Sequence, residues 1–62
     1  MNVGDRVYNR DYPGVIGVIV IATPQNYLGR GDRPYHWTVR YPYGTSFEYV
    51  EDLILANESQ GN

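Results

Sequence analysis

Apolar and polar positions alternate most clearly between Tyr35 and Val50. Tyr35, Trp37, Val39 and Tyr41 share one parity, and His36, Thr38 and Arg40 share the other. Alternation over seven residues rich in aromatic and β-branched types predicts a half-buried strand. Pro42-Tyr43-Gly44-Thr45 follows as a turn, with proline fixing φ and glycine supplying freedom near its end. Alternation resumes over Ser46–Val50, with Phe47 and Tyr49 on one face and Ser46 and Glu48 on the other. Glu51-Asp52 interrupts it, and Leu53-Ile54-Leu55 suffices for one more short strand.

Upstream, Val3–Tyr8 predicts a first strand, and Asn9–Gly14 a loop by its Asn, Asp, Pro and Gly content. Val15–Ala22 is apolar without alternation, so both faces of this second strand are hydrophobic. A small barrel has one interior, so the outer face of this strand calls for a cover, either the long loop or another chain. Gly17 inside the run predicts a bulge or tight bend. Thr23–Pro34 is a long loop with two prolines and two glycines, whose Tyr27 and Leu28 are expected to fold back over the second strand. The expectation is an all-β fold, a five-stranded SH3-like barrel spanning residues 1–56. It has a long loop between strands 2 and 3, a short 3₁₀ turn before strand 5, and a frayed polar tail at 57–62.

Composition narrows the function classes. Sixty-two residues make one domain, and the absence of cysteine excludes disulfides and thiolate chemistry. Small secreted domains usually carry disulfides, which points to a cytoplasmic protein. The longest apolar run is far too short to cross a bilayer as a helix, so no membrane role is expected. Net charge is −2 and every cation is arginine, a poor balance for unspecific nucleic-acid binding. Seven tyrosines suit either strand packing or a binding rim.

Gly4-Asp5-Arg6-Val7, Gly14-Val15-Ile16-Gly17-Val18-Ile19, Trp37-Thr38-Val39-Arg40-Tyr41, Tyr43-Gly44 and Asp52-Leu53 together resemble the small SH3-like barrels of the KOW and Tudor type. That resemblance covers about residues 3 to 55. It implies a binding module, and in the Tudor case an aromatic cage for a cation. Tyr12 and Tyr43 match the cage loops by position, with Tyr8, Trp37 and Phe47 as further rings. The opening, the glycine-bearing second strand and Tyr49…Leu53 also resemble the plasmid-borne type II dihydrofolate reductases. That resemblance implies a tetramer binding NADPH. Their Val-Gln-Ile-Tyr run is here Ser46-Phe47-Glu48-Tyr49, and the pore lysine has no counterpart. Gly4-Asp5-x-Val7 and Val39-Arg40-Tyr41 are similar to the photosystem and ferredoxin-reductase accessory barrel.

Candidate chemistry is sparse. His36 lies on the polar parity with Arg40 and, across the hairpin, Glu48, but a general base also needs an orienting partner. Arg6, Arg10, Arg30, Arg33 and Arg40 could meet phosphates, yet Asp5, Asp11 and Asp32 stand next to them as ion-pair partners. No catalytic residue, metal ligand or cofactor is assigned. The expected binding residues are Tyr8, Tyr12, Tyr27, Trp37, Arg40 and Tyr43, engaging a protein partner, with self-association as one route. A nucleic acid is the weaker alternative.

Overall fold

A computed structural model describes residues 1–56; the expected tail at 57–62 lies outside the described residues. The described residues form five strands: β1 (Arg6–Asn9), β2 (Gly17–Ala22), β3 (Trp37–Tyr41), β4 (Gly44–Glu48) and β5 (Leu53–Leu55). Two 3₁₀ turns, Arg30–Asp32 and Val50–Asp52, lie in the β2–β3 connection and just before β5. All pairings are antiparallel, in the order β4-β3-β2-β1-β5. The fold is all-β, as the alternation predicts, with the long β2–β3 connection and the 3₁₀ turn before β5. The sheet is not closed: β4 and β5 are its two edges, an order compatible with a barrel-like sheet. No helix among the described residues is long and apolar enough to cross a membrane.

Opposed residues in an antiparallel ladder share a face, so the registers sort every side chain. Val7, Ile19 and Val39 are fully buried and, with Tyr41 and Leu53, form the core. Met1, Val15 and Trp37 pack against it. Gly17 is required by close approach, since a Cβ there would lie 2.6 Å from Val39 Cγ1 and 2.7 Å from Tyr41 Cδ1. The bulge expected at Gly17 falls instead between Ile19 and Ile21, where the β2–β3 register shifts.

Two expectations are overturned. Glu48 does not join His36 and Arg40 on a polar face. Pairing of Tyr41 with Gly44, Val39 with Ser46 and Trp37 with Glu48 carries Ser46 and Glu48 to the inner face. Phe47, opposite Thr38, points outward. The long connection does not cover β2 either. It folds over β4, where Tyr27 stacks on Phe47 at 5.0 Å, and Leu28 bridges Pro34 at the base of the loop. The outer face of β2 stays open, with Val18 38% and Ile21 56% exposed.

Candidate functional site

The β2–β3 connection is held by charge and by rings. Arg30 pairs with Asp52 at 2.7 Å, and Arg33 grips Glu51 with both terminal nitrogens at 2.6 and 3.1 Å. These acids belong to the 3₁₀ turn before β5, so they replace the expected partners close in sequence. Arg33 lowers the Glu51 carboxyl to about 2, chiefly through that hydrogen bond. The Arg30 and Arg33 guanidinium carbons lie 4.7 and 4.4 Å from the Tyr49 ring centre, a cation–π arrangement. Tyr49 Oη donates to the Arg33 carbonyl at 2.9 Å. Tyr35 packs on Tyr49 at 4.7 Å and on Phe47 at 5.7 Å, extending the stack from Tyr27. Gly29 passes so close to Tyr35 and Tyr49 that any side chain there would displace them.

Behind this clasp lies an open cleft of about 530 Å³. Its walls come from three separate segments: Ala22 at the end of β2 with Thr23 and Gln25 beyond it, Arg33 to Trp37 leading into β3, and Val50 from the 3₁₀ turn. Pro34, Tyr35 and Trp37 supply a largely apolar lining. Thr23 and Thr38 bond through their hydroxyls at 2.9 Å, fixing the end of β2 on β3. His36 Nδ1 accepts the Val50 N–H at 2.8 Å, which assigns the ring hydrogen to Nε2.

Nothing in this arrangement forms an acid–base pair. The nearest carboxylate oxygen to His36 is Glu51 Oε1, 4.0 Å from a nitrogen that already accepts a hydrogen bond, and Glu51 is committed to Arg33. Glu48, 8% exposed, faces the interior. Its Oε2 accepts from Tyr41 Oη at 2.8 Å and its Oε1 from Asn9 Nδ2 at 3.0 Å. Burial, then this carboxylate, pushes the Tyr41 phenol above its ordinary range. Among the described residues no three metal-ligating side chains gather.

The residues expected to bind are dispersed. Trp37 lines the cleft, and Tyr27 sits at the outer end of the ring stack. Tyr43, 70% exposed, lies flat on Tyr41 with 5.1 Å between centres, while Phe47 is on the opposite face of the hairpin. Tyr12 is 67% exposed in the β1–β2 connection and makes no ring contact among the described residues. Tyr8 stands opposite Ile54, and Arg40 opposite Val18 and Thr45. Thr23, Gln25, Pro34, Tyr35 and Val50 were not singled out by the sequence as binding residues, and Arg33 was weighed only as a phosphate contact. The run Pro34-Tyr35-His36-Trp37 at the end of the loop was the available signal. Comparison with known proteins found no matching family model, no matching curated protein and no matching solved structure.

Proposed function

We propose that the chain is a non-catalytic binding module on an SH3-like framework that engages a protein partner through the cleft at Trp37. The strand order, with β5 returning to β1 after a 3₁₀ turn, supports the SH3-like reading. The observation that carries the function is the cleft itself. It is concave, walled by Trp37, Tyr35 and Pro34, rimmed by Arg33, His36 and Gln25, and free of any paired acid and base. Aromatic walls with a few polar groups suit an apolar side chain presented by a peptide backbone.

Trp37 is the chain's one tryptophan, so its emission reports on the cleft. A random-peptide display library selected against the immobilised protein should yield peptides whose saturable binding shifts that emission. Binding should be lost in Val50→Lys, which places a charge on an exposed cleft wall. Failure to enrich any peptide, or peptides that bind Val50→Lys equally well, would refute the assignment.

A further inference from the structure

The outer face of the sheet carries a second feature that shares no residue with the cleft lining. The registers align Thr45, Arg40, Val18 and Arg6 in one row across β4, β3, β2 and β1. Arg40 and Arg6 therefore flank Val18 on the same face, with backbones two strand spacings apart, about 10 Å. Both arginines are exposed, and among the described residues neither forms an ion pair. Four carboxylates among the described residues are engaged otherwise. Glu51 and Asp52 are held by Arg33 and Arg30, Glu48 faces inward, and Asp5 accepts the Asn2 N–H at 2.9 Å. An acidic chain thus presents a row whose two charged side chains, Arg6 and Arg40, are both cations. Along β2, exposed Val20 and Ile21 extend the apolar strip from Val18.

We propose that this face docks an acidic protein segment bearing aliphatic side chains, its carboxylates on Arg6 and Arg40 and its aliphatic groups on Val18, Val20 and Ile21. Two arginines on either side of an aliphatic strip match alternating charge and hydrophobicity. A nucleic acid is disfavoured because the side chains between the cations offer no ring on which a base could stack. The surface is independent of the Trp37 cleft, so the two assignments succeed or fail separately.

The test is amide chemical-shift mapping with three probes: a twelve-residue peptide alternating glutamate and valine, its lysine–valine counterpart, and a single-stranded oligothymidylate of equal length. The expected result is saturable shifts at Arg6, Val18 and Arg40 with the glutamate peptide alone. Raising ionic strength from about 0.01 to about 1 M, which cuts the screening length from ~30 to ~3 Å, should weaken them. Arg6→Gln combined with Arg40→Gln should weaken binding about tenfold, and each single variant should weaken it by less. Both side chains are exposed, and the variant's own spectrum verifies its fold. No shift at millimolar peptide, equal binding of the lysine peptide, or indifference to the substitutions overturns the proposal. Stronger binding of the oligothymidylate at these residues would reassign the face to nucleic acid. Concentration-dependent shifts without any probe would reassign it to a second copy of the chain.

Discussion

Tyr41→Phe isolates the interior polar bond on which the packing of β3 against β4 depends. The substitution keeps the ring, its burial in the core and its stacking on Tyr43, and removes one hydroxyl. That hydroxyl donates to Glu48 Oε2 at 2.8 Å in a buried setting, while Asn9 holds the other oxygen at 3.0 Å. A hydrogen bond to a charged group contributes about 1.5–3 kcal/mol, and an oxygen left buried without a partner costs a similar amount. The expected loss is about 2 kcal/mol. A chain of this length holds roughly 3–9 kcal/mol in total, so the loss is a large fraction. At roughly 4–8 °C per kcal/mol for a small domain, the midpoint should fall by about 8–16 °C. Urea unfolding followed by Trp37 emission measures it, and a cycle with Glu48→Gln should give a coupling of at least about 1 kcal/mol. A variant within about 0.5 kcal/mol of the parent, with coupling near zero, would mean that Glu48 is solvated and the inner-face register is wrong.

Other expectations follow from the same geometry. Gly17→Ala forces a methyl into Val39 and Tyr41 and should cost about 1–3 kcal/mol by urea denaturation. The Tyr41 phenol has its pKa raised above its ordinary value of 10.0, so its stabilising contribution is full below pH 10 and lost as pH rises further. Alkaline titration by circular dichroism should show that loss in the parent and a shallower one in Tyr41→Phe. Glu51 is depressed from 4.5 to about 2, so its contribution is full above pH 4.5 and lost as pH falls toward 2. Amide protection across the β2–β3 connection, taken relative to the intrinsic exchange rate at each pH, should fall over that window, and should already be low at neutral pH in Arg33→Ala.

The β3 strand was legible because its neighbours on both sides leave one aromatic and one polar parity. Phe47 and Glu48 were not legible. Composition places a phenylalanine inside and a glutamate outside, yet register with β3 reverses them, and Asn9 and Tyr41 from two other strands make the burial of Glu48 tolerable. The course of the long connection was hidden for a related reason. Arg30 finds Asp52 and Arg33 finds Glu51 across 22 and 18 residues, whereas nearer acids were the apparent partners. Trp37 has inward parity and packs on the core, and it also forms a cleft wall, because Ala22 opposite it on β2 leaves space beside the ring. The cleft unites three segments, so no local pattern outlines it.

The most direct test of the binding-module account is to map a display-selected peptide onto the assigned amide spectrum of the intact chain. The account predicts shifts concentrated at Thr23, Gln25, Arg33 to Trp37 and Val50, with Trp37 emission changing along the same saturation curve. Shifts centred on Tyr12 and Tyr43, or none near Trp37 at saturation, would contradict it.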